Sequence, residues 1–195
     1  MTKPLVYNVM GTVQNLGINV NYTHTIQTDE TLYYGAVAVK MMEGGNIKNI
    51  TIDGNVNIYG VDSSTTAYVS GFVAVVSGGT IDNSVISDNS KLRNNISALT
   101  INITGVGTVY AGGYAASVER GGATFSFGIA NGNINIEDCG DVIVGLLVGQ
   151  SFGECSWNLA LSSEYFYNIN IFNAHSVTCP SRLREIDGRE KIHID

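Results

Sequence analysis

The chain has 195 residues, a formal charge of −7, a hydrophobic fraction of 44% and a charged fraction of only 14%. That length suffices for one domain with a substantial core, and low charge with ordinary hydrophobicity argues against charge-driven disorder. The acidic balance argues against nucleic acid as a partner, and no apolar run reaches the roughly eighteen residues of a membrane-spanning helix.

Glycine is abundant at 23 residues and proline scarce at 2, which suits a sheet-rich protein with many tight turns. The first ten residues lack the apolar core of a signal peptide. The expectation is that the chain is not exported by that route or is a piece of something longer.

From there the chain reads as one pattern repeated. A partial copy, near residues 11–30, holds Gly11-Thr-Val-Gln-Asn-Leu-Gly-Ile and Thr23-His-Thr-Ile. Four fuller copies follow, near 31–66, 67–108, 109–141 and 142–178. Each opens on an apolar strand flanked by glycine, such as Tyr33-Tyr-Gly-Ala-Val-Ala-Val or Val142-Ile-Val-Gly-Leu-Leu-Val-Gly. A second strand follows a glycine pair, as in Gly44-Gly-Asn-Ile-Lys-Asn-Ile-Thr-Ile. A third is short and alternating, as in Asn55-Val-Asn-Ile and Gly132-Asn-Ile-Asn-Ile. Apolar residues fall on every second position, the period of a half-buried strand.

Two marker series test the repeat. The glycine opening the middle strand recurs at Gly11, Gly45, Gly79, Gly122 and Gly153, at intervals of 34, 34, 43 and 31. The isoleucine closing the third strand recurs at Ile26, Ile58, Ile103, Ile136 and Ile171, at intervals of 32, 45, 33 and 35. Both stretch in the same copy, which predicts one insertion near Ser87 to Ser97. A unit of this size cannot bury its apolar face alone, whereas stacked copies bury a continuous column.

The predicted fold is therefore all-β: a β-solenoid, or parallel β-helix, over residues 1–179, with about three short strands per coil and about four and a half coils. A β-sandwich is the rival, but does not account for the recurring Gly-x-Ile-x-Asn. The recurring glycines are expected at corners or at close approaches between coils. Asn49, Asn83 and Asn158 are expected either to form amide ladders between coils or to serve as turn residues. Residues 180–195 read as a solvated, locally neutral tail, with a short helix at Ser181 to Ile186 the one helical expectation.

Residues 68–86, Tyr-Val-Ser-Gly-Phe-Val-Ala-Val-Val-Ser-Gly-Gly-Thr-Ile-Asp-Asn-Ser-Val-Ile, resemble the GLUG repeat. Val144-Gly-Leu-Leu-Val-Gly-Gln is similar to the core that gives that repeat its name. The resemblance spans residues 33–171 and is weaker in the third and fourth copies. It implies a β-solenoid from a repetitive surface or secreted protein, often adhesive, and it implies no catalytic residues.

Motifs that carry chemistry are sparse. His24, His175 and His193 have no metal-ligand spacing, and His24 reads as a surface strand residue. Cys139, Cys155 and Cys179 match no metal pattern and read as free thiols, with one disulfide between two of them as the alternative. Glycan cleavage would require two converging carboxylates. Asp53, Asp82, Asp88, Glu137, Asp138 and Asp141 are the candidates, but Asp53 and Asp82 stand at different offsets from their repeat glycines. Thr23-x-Thr25 is the one Thr-x-Thr triplet, too little for an ice-binding face. Sequons at Asn21, Asn49, Asn95 and Asn102 are compatible with secretion without arguing for it.

Tyr33, Tyr34, Tyr68, Tyr110 and Tyr114 fall near the first strand of successive copies. They are expected either to form an exposed stripe that binds a sugar or a protein, or to pack against neighbouring coils. The functional expectation is a non-enzymatic structural or adhesive module, without cofactor or metal. It would self-associate through its solenoid ends into a filament, or belong to a longer protein outside the cell or at its surface. A glycan or a host surface protein is the other partner considered, and a carbohydrate-active or carbohydrate-binding solenoid the alternative function.

Overall fold

The computed structural model of the chain describes residues 3–82, 95–119, 123–126, 128–130, 132–145, 147–153, 155–158, 168–179 and 192–194. Among them every regular element is a strand, and the strands wind as a parallel β-solenoid of about four turns with about three strands per coil. A partial first turn holds β1 (Val6–Val9) and β2 (Thr12–Ile26). The next holds β3 (Thr31–Gly35), β4 (Ala38–Met41) and β5 (Asn46–Gly60). Then come β6 (Thr66–Ser70), β7 (Val73–Val76), β8 (Thr80–Asp82) and β9 (Asn95–Thr104). The following turn contains β10 (Thr108–Gly112), β11 (Ala115–Val118), β12 (Ala123–Ser126), β13 (Gly128–Ala130) and β14 (Asn133–Glu137). Finally there are β15 (Asp141–Gly145), β16 (Val148–Ser151), β17 (Cys155–Asn158), β18 (Asn168–Phe172), β19 (Ser176–Thr178) and β20 (Ile192–Ile194).

The strands build three faces. The back face runs β1-β4-β7-β11-β16 and the tyrosine face β3-β6-β10-β15-β19. The long face runs β17-β12-β8-β5-β9-β14-β18-β20, with β13 beside β9 and β2 on the outer side of β5. The core lies between the faces. Ile58, Ile103, Ile136 and Ile171 stand in register and are fully buried, as are Val56, Ile101, Ile134 and Ile169 beside them. Each such side chain contributes about 1.5–3 kcal/mol by leaving water.

The count of three strands per coil agrees with the sequence pattern, but the corners fall elsewhere. The apolar stretch expected as one strand, Tyr33 to Val39, splits into β3 and β4. A Cβ on Gly35 would stand 2.5 Å from the Ala38 carbonyl oxygen, so that corner closes only over a glycine or with rearrangement. The stretches expected as middle and third strands, conversely, merge into the 15-residue β5. Left-handed residues within it, Asn49 at φ 48° and Gly54 at φ 110°, bend the strand without ending it.

Register refines the two marker series. Thr12, Asn46 and Thr80 are aligned, so Gly11, Gly45 and Gly79 are level. Gly79 has φ 97°, and a Cβ there would lie 2.6 Å from the Gly45 carbonyl oxygen, so coil-to-coil approach excludes a side chain. Gly122 lies outside the described residues. Thr80 pairs with Thr124 and Ala123 with Cys155, which puts Ala123 level with Gly79 and Gly153 two residues short of that level. In the isoleucine series Ile26 pairs with Gly60, and it is His24 that stands opposite Ile58.

The insertion is also placed by register. Lys48 pairs with Asp82, an offset of 34, and Thr51 with Ile96, an offset of 45, so eleven extra residues lie between Asp82 and Ile96. The length matches the expected segment, but Ile96 and Ser97 already belong to β9. Most of the expected segment lies outside the described residues. Much of the expected tail, including Ser181 to Ile186, lies outside them too. Ile192–Ile194, however, repeats the Ile-x-Ile alternation and pairs with Ile169–Ile171.

Candidate functional site

The tyrosines divide between two sides of the sheet. Tyr33, Tyr68 and Tyr110 are paired in register on the tyrosine face and point outward. Their rings stack at 4.8 Å and 4.4 Å with interplanar angles of 12° and 8°. Ile143 and Thr178 continue the column. Because the rings stack along the solenoid axis, each covers its neighbour's flat surface. Tyr33 stands on edge strand β3, so one face of its ring has no strand beside it in the sheet, and it is 42% exposed. The Tyr68 hydroxyl is pushed up to about 12, first by burial and then by Tyr110 and Tyr33 beside it.

Tyr34 and Tyr114 do not join this column. Tyr34 follows Tyr33 directly, so its side chain points to the opposite, buried side, where it stacks on Tyr22 at 4.2 Å. Burial pushes the pKa of its hydroxyl up, so the neutral phenol is favoured. Tyr114 occupies the corner between β10 and β11, buried against Phe72 at 4.8 Å.

A column that the sequence reading missed flanks the stacked rings. Thr31, Thr66 and Thr108 stand in register, followed by Asp141 and Ser176. The signal was a Thr-x-Tyr triplet at the head of three successive strands.

The long face carries a larger array. Thr23, Asn57, Asn102, Asn135 and Asn170 form one outward column, with His193 next in register. Asn57 Nδ2 donates to Thr23 Oγ1 at 3.4 Å, Asn102 to Asn57 Oδ1 at 2.9 Å, and Asn135 to Asn102 and Asn170 to Asn135 at 2.8 Å each. Two residues away runs a parallel column of Asn21, Asn55, Thr100, Asn133 and Asn168, in which Asn168 donates to Asn133 at 3.1 Å. Each laddered amide has a second N–H and a second oxygen lone pair beyond those axial bonds. The expected ladder residue Asn49 donates to Asn15 Oδ1 at 2.7 Å, and both are left-handed. Here ladder and turn are one device. Asn83 and the Asn158 side chain lie outside what is described.

Three of the candidate carboxylates serve the stack in the same way. Asp53 accepts from Asn19 at 2.5 Å, Asp138 from Asn173 at 2.7 Å and Asp141 from Ser176 at 2.7 Å, each partner one coil away. Asp53 is on the long face, Asp141 on the tyrosine face, and Asp138 at the corner between them, while Glu137 ends β14. Asp88 and the Asp82 side chain lie outside what is described. Among the described residues no three His, Cys, Asp or Glu side chains gather as a metal site.

His24 corrects its expected surface position. It shares the inward parity of Ile26, is half-buried, stacks on Tyr22 at 6.1 Å and lies 3.4 Å from Glu30. Glu30 is held below the usual carboxylate range, chiefly by the Gln27 backbone N–H. Cys139 is a buried free thiol, and that burial pushes its pKa up.

The N-terminal end has features of its own. Among the described strands β2 pairs only with β5, so one side of a 15-residue strand is open. It contains no Asp, Glu, Lys or Arg, the residues that ordinarily protect an edge. Around it Leu5, Tyr7, Met10 and Leu16 are exposed, with Tyr7 and Met10 above 70%.

Fold and surfaces together define a three-faced parallel β-solenoid whose outward repeats are axial ladders. No family model, curated protein or solved structure matches the chain.

Proposed function

We propose that the chain is a non-enzymatic structural or adhesive repeat module that self-associates through its solenoid ends. The open, uncharged edge of β2 carries this reading. A 15-residue strand with one edge open among the described strands, ringed by exposed apolar side chains, forms a template for another strand. The arrangement of the carboxylates supports the non-enzymatic part, since the described ones sit on different faces or engage a neighbouring coil. The GLUG-like pattern supports a place outside the cell or at its surface, in a filament or within a longer repeat protein. Sedimentation velocity over a wide concentration range tests the reading. Mass should grow with concentration, whereas a monomer throughout would overturn it.

A second reading, a carbohydrate-binding solenoid, is favoured by the two Asn/Thr columns of the long face. They set amide and hydroxyl groups at the regular inter-strand spacing of about 4.8 Å, which suits an extended, uncharged polyhydroxylated chain. Co-sedimentation with insoluble polysaccharides tests it. Retention should be lost when Asn55, Asn133 and Asn168 are replaced together by alanine, and equal retention of both chains would exclude this face.

A further inference from the structure

We infer that the N-terminal ends of two copies meet head to head, β2 pairing antiparallel with β2 of a second copy about a two-fold axis at Asn21. This deepens the self-association reading and rests on it, fixing which ends meet.

Three observations lead there. First, Asn15 is left-handed, so the extended run of β2 is Leu16 to Ile26, whose central residue is Asn21. Second, that run is self-complementary. About Asn21, Val20 faces Tyr22, Ile18 faces His24 and Leu16 faces Ile26, all with inward parity. Outward, Asn19 faces Thr23 and Gly17 faces Thr25. Apolar positions meet inward positions, polar positions meet polar ones, and no like charges are opposed, as an isologous contact requires.

Third, the same rotation covers the exposed rim. A two-fold normal to the long face brings the β1 edge of each copy over the β3 edge of the other. Leu5, Tyr7 and Met10 lie on the β1 side and the ring of Tyr33 on the β3 side, all exposed in the single chain. A head-to-tail contact would leave one such apolar end open on every finite assembly, whereas the head-to-head pair closes both.

Asn21 provides the test, because it is exposed and points away from the core. In the paired state the two Asn21 Cα atoms lie about 4.5–5.5 Å apart, within disulfide reach. Asn21→Cys, made together with Cys179→Ser, should form a disulfide-linked dimer under mild oxidation, and the chain with Cys179→Ser alone should not. Asn21→Lys opposes two ammonium groups and should raise the dissociation constant about fivefold or more with an unchanged circular dichroism spectrum. Mixing it with Asn21→Glu should restore the pair.

Absence of the disulfide, with association undiminished in Asn21→Lys, would overturn the head-to-head pairing and leave self-association standing. A parent chain that stays monomeric at every concentration would overturn both.

Discussion

Tyr33 and Tyr34 are adjacent in sequence and opposite in role. Tyr33 begins a column of rings on the outer surface, with Tyr68 and Tyr110 beneath it. Tyr34 points inward, and like Tyr114 it is packed among core side chains. Both groups stack, at similar ring separations. What differs is what surrounds the rings: side chains on all sides within the core, and solvent along the ring edges outside it. Recurrence at one strand of a repeat therefore does not define a surface; parity within the strand does. Even an outward column can be engaged by its own axial neighbours.

The inner stack should be the more costly to break. Phe72 is fully buried and its ring covers Tyr114. Phe72→Ala removes a large side chain at a corner where neighbouring backbones are fixed by parallel pairing, so little collapse can fill the space. The loss should be about 3–5 kcal/mol. Urea unfolding followed by circular dichroism measures it as a lower midpoint.

How far these differences could be read beforehand depends on the residue. The period-two alternation of segments such as Asn133-Ile-Asn-Ile carries the strand assignment, and its recurrence carries the solenoid. That same alternation contains the polar columns of the long face, which become visible once the asparagines are followed rather than the isoleucines. Tyr33 and Tyr34 were separable by parity alone. The corner at Gly35 was not legible, because it depends on how closely the Ala38 carbonyl approaches. Nor was the merging of two expected strands in β5: a left-handed Asn49 inside a strand reads locally as a turn. The open edge of β2 was the least legible feature. Nothing in Thr12–Ile26 distinguishes an edge strand from its paired neighbour β5 except the lack of charge, and edge status arises from where the strand falls in the stack.

The outer rings should yield a smaller effect with a distinctive pH signature. Tyr68 lies between two rings, so Tyr68→Ala removes two stacking contacts from a half-buried site, a loss of about 2 kcal/mol. Its folded pKa of about 12 stands above the ordinary 10.0, so the folded state favours the neutral phenol. That preference is fully present below pH 10.0 and is lost as pH rises towards about 12. Tyr22 and Tyr34 shift in the same direction. The parent should therefore lose stability in that window, and Tyr68→Phe should lose less of it. Parallel alkaline titrations of unfolding midpoint would show this, and identical profiles would mean that the outer column contributes nothing to the alkaline limit.

The asparagine column should give the smallest effect of the three, for a reason that sharpens the contrast. Asn102 donates to Asn57 and accepts from Asn135, both half-buried on the long face. Asn102→Ala removes two neutral hydrogen bonds but exposes both partners to water, which replaces most of what is lost, so the net cost should be about 1 kcal/mol. Asn102→Asp keeps the acceptor that Asn135 uses but loses the donor to Asn57, and it sets a charge in an otherwise amide column. The loss should then exceed that of alanine at neutral pH and narrow as the carboxyl protonates at acidic pH. Urea midpoints for the two variants at neutral and acidic pH would distinguish the cases. Equal midpoints at both would mean that the amides occupy aligned positions without stabilising the stack.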